Sequence, residues 1–178
     1  MRYGFPMKRA ALFAVLVLFA VTSIAAAPHP VTTVILVRHA EKASQEDDSP
    51  LTPAGTERAN ELARVLAGVK VDAIYTTQFR RVKDTALPLA AATGLTPIVR
   101  PTGKTYADDL ANLILHDNRG QTVVVIGHSN TTIALMKALG ATNVEAMPES
   151  QFDNLFVLTD TDGAAPKVIA LRYGAAAR

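Results

Sequence analysis

Residues Val31 to Val37 form an almost unbroken β-branched and aliphatic run that stops abruptly at Arg38-His39. A strand apolar on both of its alternating faces cannot lie with one face in water, so it must be central in a sheet covered above and below. Thr122 to Ile126 repeats the pattern and stops as abruptly at Gly127-His128. Two such strands demand helices on both sides, and the segments between them carry helical spacing.

Thr52-Pro53 offers an N-cap followed by proline at the first helical position, with Ala59, Leu62, Ala63 and Leu66 at helical intervals before Gly68. Val71 to Tyr75 reads as a second strand. A helical segment with Ala86, Leu89 and Ala90 runs to Gly94, and Pro88 is expected to kink or reset it because proline has no amide hydrogen. Thr96 to Val99 is a short third strand. Thr105-x-x-Asp108 reads as a capping box that opens a helix bearing Leu110, Ala111, Ile114 and Leu115. After the fourth strand, Gly127-His128-Ser129-Asn130 turns into a helix with Ile133, Ala134 and Leu139, which Gly140 ends. Leu155 to Leu158 and Val168 to Leu171 flank an Asp-Thr-Asp-Gly turn as a hairpin or edge pair. The expected fold class is α/β, a three-layer α/β/α domain with a mostly parallel sheet and helices on both faces.

The first segment has a different character. Arg2, Lys8 and Arg9 precede an apolar run from Ala10 to Ile24 that leads into Ala25, Ala26 and Ala27. That order describes a secretory signal peptide over residues 1–27, cleaved near Ala25 or Ala27, ahead of a domain at 28–178. The competing reading is an uncleaved anchor, which needs about 20 apolar residues, more than this run provides. The expectation is an exported, periplasmic or secreted protein with no membrane attachment after cleavage. Without residues 1–27 the chain has 15 basic against 16 acidic residues, a balance of minus one. The basic stripe of a nucleic-acid binder is missing from it. The chain has no cysteine, which excludes disulfides, a thiol nucleophile and cysteine-ligated zinc.

In open α/β sheets, ligands sit beyond the carboxyl ends of the strands. Three such ends here lead into Arg38-His39, Arg80-Arg81 and His128. Two arginines with two histidines on one rim would suit a phosphoryl group. Guanidinium forks donate paired hydrogen bonds to phosphate oxygens, and a helix amino terminus at Ser129 or Asn130 adds oriented amides. A neutral imidazole near pH 7 can also act as a nucleophile. A metal held by the two histidines is disfavoured, since no spaced carboxylates accompany them and the arginines would repel a cation.

These residues carry a family resemblance. Val37-Arg38-His39-Ala40-Glu41 is similar to the Arg-His-Gly-Glu signature of the histidine phosphatase (phosphoglycerate mutase-like) superfamily. Leu51-Thr52-Pro53-Ala54-Gly55 with Arg58-Ala59 resembles its Leu-Thr-x-x-Gly helix entry. Thr77-x-x-x-Arg81-x-x-x-Thr85-Ala86 resembles its Ser-x-x-x-Arg-x-x-x-Thr-Ala motif, and Gly127-His128-Ser129 its second histidine motif. The resemblance spans residues 34 to 139. It implies His39 as nucleophile, Arg38, Arg81 and His128 as phosphate holders, a small phosphorylated substrate or phosphoprotein as partner, and no cofactor. Arg80 is left as a surface or auxiliary residue, and Asn130 either caps a helix or touches phosphate.

Ala40 stands where the family has glycine and Thr77 where it has serine. A larger departure is that no acidic residue lies between Asp84 and Asp108, where many members supply a general acid. Glu41 and Asp109 are candidates by position, Asp153 less so, and Asp108 reads better as a cap. The alternative is a shallow site with no strong acid, which would favour aryl or acyl phosphates over alkyl ones. Phosphatase is the leading expectation, ahead of a phosphomutase, which would have to exclude water, and of an idle phosphate- or phosphopeptide-binding module. The Glu46-Asp47-Asp48 run is a solvated loop or a flap over the pocket.

Overall fold

The computed structural model describes Met1 and residues 30–160 and 165–176. The segment read as a signal peptide, apart from Met1, and the turn residues Thr161 to Gly163 lie outside the described residues. Among the described residues no helix is long and apolar enough to cross a membrane.

The elements run β1 (Thr32–Arg38), α1 (Pro53–Val65), β2 (Ala73–Thr76), α2 (Arg80–Thr93), β3 (Ile98–Val99), α3 (Tyr106–Asp117), β4 (Thr122–Gly127), α4 (Ser129–Ala138), β5 (Asn154–Asp160) and β6 (Lys167–Arg172). They form one six-stranded sheet in the order β3-β2-β4-β1-β5-β6. The β3/β2, β2/β4 and β4/β1 pairs are parallel, while β5 is antiparallel to both β1 and β6. The last two strands are thus a hairpin at one edge, as their spacing suggests.

Strand alternation sorts the core into two layers. Val34, Leu36, Val123 and Val125 pack with Leu110, Ile114, Leu135 and Met136 of α3 and α4 on one face. Ile35, Val37, Val124 and Ile126 pack with Leu62 of α1 and with Val82, Ala86 and Leu89 of α2 on the other. Burying both faces of β1 and β4 stabilises each large aliphatic side chain by about 1.5–3 kcal/mol. Both continuous apolar runs are thereby explained.

Two local expectations, a reset of the helix at Pro88 and a capping box at Thr105, fail. Helix α2 runs without division from Arg80 to Thr93 through Pro88. Val82 and Ala86 before the proline and Leu89 and Ala90 after it are buried in one core, and this shared packing outweighs the single missing backbone bond. Thr105 makes no side-chain cap bond to the backbone at the start of α3. Its hydroxyl donates instead to the carboxylate of Asp109 at 2.8 Å, so the box with Asp108 does not form.

Candidate active site

The order β2-β4-β1 sets three carboxyl strand ends side by side. Arg38 is paired with Gly127, and the His39 amide donates to the Gly127 carbonyl at 2.8 Å, which carries the β1/β4 ladder one residue past the strand. A cleft of about 380 Å³ opens on this rim, lined by Arg38, His39, Lys42, Phe79, Arg81, Thr102, His128, Ser129, Asn130, Thr131 and Glu149. Arg38, His39, Arg81, His128 and Asn130 therefore share one cavity.

His39 is almost fully buried, and its Nδ1 lies 2.7 Å from the Ala40 carbonyl. A carbonyl only accepts, so Nδ1 carries the hydrogen and Nε2 keeps a lone pair. Burial holds the ring neutral, with its pKa pushed down to about 3; the Ala40 bond works against this, and the charges of Arg38 and Arg81 add to it. The same logic fixes His128. A guanidinium only donates, so the 3.4 Å contact from Arg81 Nη2 makes Nδ1 of His128 the acceptor, and Nε2 donates to the Thr77 hydroxyl at 3.1 Å. His128 is also held neutral, at about 4, by burial first and then by Arg81 and Arg38. The two rings meet edge to face at 5.3 Å.

Each arginine has its guanidinium over an aromatic ring. Arg38 sits 4.2 Å from the centre of the Phe152 ring and Arg81 4.6 Å from that of Phe79. Arg38 Nη1 donates to the carbonyls of Pro148, Glu149 and Gln151, and Arg81 Nη1 to that of Asp47 at 2.5 Å. Both Nε atoms are buried without a partner. Arg80 does not line the cleft; its side chain pairs with Asp84 and its amide donates to Asp48. The acidic run thus braces the start of α2 through Asp47 and Asp48, and none of its three residues lines the cleft.

The motif residues around the cleft have structural reasons. The Thr85 hydroxyl accepts from the Ala40 amide at 3.0 Å and donates to the Arg81 carbonyl at 2.7 Å, linking the His39 loop to α2. Ala40 is buried without a positive φ, so alanine costs no backbone strain where glycine is usual. Thr77 keeps the hydroxyl that a serine would offer His128. Thr52 caps α1 through the Gly55 amide. Gly55 itself lies where a Cβ would come 2.4 Å from the Glu41 carbonyl oxygen.

The proposed acids are placed elsewhere. Glu41 grips Arg58 through three contacts of 2.8 to 3.1 Å, and burial that would raise its pKa is overcome by these bonds, leaving it low. Arg58 also donates to the carbonyls of Tyr173 and Ala175. Asp109 is tied to Thr105 and Asp153 to Arg172, and none of the three carboxylates lines the cleft. Asn130 does line it, with its carbonyl oxygen accepting from the Thr131 amide.

One carboxylate does line the cleft, and sequence reasoning missed it. Glu149, on the loop between α4 and β5, accepts from Arg38 Nη2 at 2.6 Å and from the Ser129 hydroxyl. It lies 110 residues beyond His39, in a stretch with no motif, so no spacing could reveal it. Lys42 and Phe79 were missed as well, although each is within three residues of a motif position. Among the described residues no group of three or more His, Cys, Asp or Glu could hold a metal ion.

The model of the histidine phosphatase superfamily (branch 1) matches residues 34–102, which contain Arg38, His39 and Arg81. This segment of the chain is thus similar to the histidine phosphatase superfamily, which supports phosphatase chemistry in general. Among solved structures, a candidate phosphohistidine phosphatase SixA from Nakamurella multipartitia is similar at 25% identity and TM-score 0.61, over 84% of this chain and 100% of that one. A mycobacterial glucosyl-3-phosphoglycerate phosphatase shares the fold at 18% identity and TM-score 0.62, over 82% and 100%. The protein histidine phosphatase SixA, solved with tungstate, shares it at 18% identity and TM-score 0.62, over 79% and 96%. No curated protein sequence matches the chain.

Proposed function

We propose that this protein hydrolyses a phosphate monoester or a similar small phosphorylated substrate, or a phosphoprotein, through a phosphohistidine on Nε2 of His39. The observation that carries the reading is the pinned tautomer: Nδ1–H is held by the Ala40 carbonyl, which leaves a neutral Nε2 lone pair in a cleft lined by two arginines. In the first step Nε2 bonds to phosphorus as the P–O bond breaks, and the leaving oxygen takes the electron pair. In the second, water adds to phosphorus, the N–P bond breaks and the water proton passes to solvent. Arg38, Arg81 and Asn130 supply donors for the phosphoryl oxygens, where charge accumulates during transfer, and His128 holds the Arg81 guanidinium beside them through Nδ1. No metal or organic cofactor enters either step.

With Glu41, Asp109 and Asp153 turned to other partners and Glu149 paired with Arg38 and Ser129, no carboxyl among the described residues is set up to protonate the leaving oxygen. The reading therefore includes a preference for aryl and acyl phosphates, whose leaving groups need no proton, over alkyl ones. The apolar segment before residue 28 supports placing the enzyme outside the cytoplasm after cleavage.

The test is p-nitrophenyl phosphate with a chelator present. Hydrolysis is expected to persist, to vanish in His39→Ala, and to leave an acid-labile phosphoryl group on wild-type protein quenched during turnover. Hydrolysis undiminished in His39→Ala would end this mechanism. Equal turnover of phenyl and ethyl phosphates would remove the leaving-group preference alone.

A further inference from the structure

The position of Glu149 bears on how the cleft handles anions, given the reading of that cleft as the phosphoryl site. Its carboxylate takes the Arg38 guanidinium that suits a phosphoryl group, together with the Ser129 hydroxyl at the start of α4. We propose that Glu149 is a resident competitor for the phosphoryl position, a carboxylate that substrate must displace and that returns to Arg38 as phosphate leaves.

The two partners of this ion pair are unequally held. The Arg38 side chain is 2% exposed, fixed by three backbone carbonyls and stacked on Phe152. The Glu149 side chain is 78% exposed. A carboxylate on the surface moves into water at little desolvation cost, whereas the buried arginine has nowhere to go. Opening the pair therefore means that Glu149 swings out while the guanidinium stays in place for phosphate. The Ser129 hydrogen bond and Arg38 hold the carboxyl below the usual range, so it rests as an anion and repels a second anion from the same donors.

Seating the carboxylate lowers apparent anion affinity by the fraction of molecules whose cradle is open. If it is seated about nine-tenths of the time, phosphate binds about tenfold more weakly than the cradle alone would allow. For a hydrolase, weak product binding is useful, because the arginines that stabilise transferring phosphoryl also hold inorganic phosphate. A returning carboxylate helps to expel it.

The test is calorimetric titration of the full chain with inorganic phosphate, comparing wild type, Glu149→Gln and Glu149→Asp, alongside phosphate inhibition of p-nitrophenyl phosphate hydrolysis. Glutamine keeps the shape and removes the charge; aspartate keeps the charge and loses one methylene of reach. Glu149→Gln is expected to bind phosphate about tenfold more tightly, with a matching fall in KM and in the phosphate inhibition constant. Glu149→Asp is expected to fall between the two. Phosphate affinity unchanged or weakened in Glu149→Gln, in a wild type that does hydrolyse the ester, would overturn this inference alone. A kcat loss in Glu149→Gln that is larger for ethyl than for phenyl phosphate would also overturn it, since that marks a proton donor. Failure of all three proteins to bind phosphate would take down the reading of the cleft and this inference together.

Discussion

At the scale of single residues, the chemistry rests on which imidazole nitrogen carries a hydrogen. An ordinary histidine is half protonated near pH 6.5, and its two neutral tautomers exchange freely in water. In His39 both freedoms are removed: the Ala40 carbonyl selects Nδ1–H, and burial together with the neighbouring arginines pushes the pKa down to about 3. The Nε2 lone pair that the proposed reaction uses is thus available across the whole mildly acidic range. Imidazole nitrogen NMR of the free protein is expected to show His39 as neutral Nδ1–H at pH 5, where an unperturbed histidine would be about 97% protonated. A ring that titrates near pH 6.5 in the folded protein would contradict the burial argument.

At the scale of elements, the helix starts position the loops that carry the site. Helix α1 begins where Thr52 donates its amide to the Glu41 carbonyl and Gly55 lets the first turn close onto that same carbonyl. Gly55→Ala would place a methyl group 2.4 Å from a backbone oxygen that has no rotamer to move away. The expected cost is about 1–3 kcal/mol, read by urea denaturation, with a larger proportional loss in kcat because Glu41 is two residues from His39. A variant as stable and active as wild type would show that the loop yields. This contact also shows what was legible in advance. The Leu-Thr-x-x-Gly pattern announced a capped helix, and strand ends at Arg38 and His128 announced the rim, because local capping and two-faced burial leave marks at short spacing. Other features depend on tertiary partners and leave none. Pro88 stays helical because both of its flanks share one core, and Asp109 captures Thr105 in place of the expected box. Glu41 meets Arg58, and Glu149 reaches Arg38 from the far end of the domain.

At the scale of the whole molecule, the site is coupled to global stability because it grows out of the central strands. The His39 amide extends the β1/β4 ladder, and β1 and β4 are the strands that both core layers cover. Protonating His39 therefore weighs on the fold as a whole, because the ring is anchored to the central strands. Both imidazoles have folded pKa values below the unfolded value near 6.5, about 3 for His39 and about 4 for His128. Between these limits the unfolded chain binds more protons than the folded one, so stability rises with pH there and falls on acidification. The stabilisation from keeping these rings neutral is complete above pH 6.5 and is lost progressively as pH drops toward 4 and then 3. Each ring contributes a slope of at most about 1.4 kcal/mol per pH unit, so two rings set an upper bound of about 2.7. The carboxyls of Glu41 and Glu149, both held low, add their own loss below their unfolded values and extend the decline into stronger acid. Unfolding free energies from urea titrations at pH 7, 6 and 5 are expected to fall steadily in wild type. In His39→Gln the fall should be shallower by about 0.7 proton on average over the same interval, since glutamine does not titrate. Parallel pH dependences in the two proteins would mean that His39 is protonated as easily in the fold as outside it, and the buried neutral imidazole on which the proposed mechanism depends would be lost with that result.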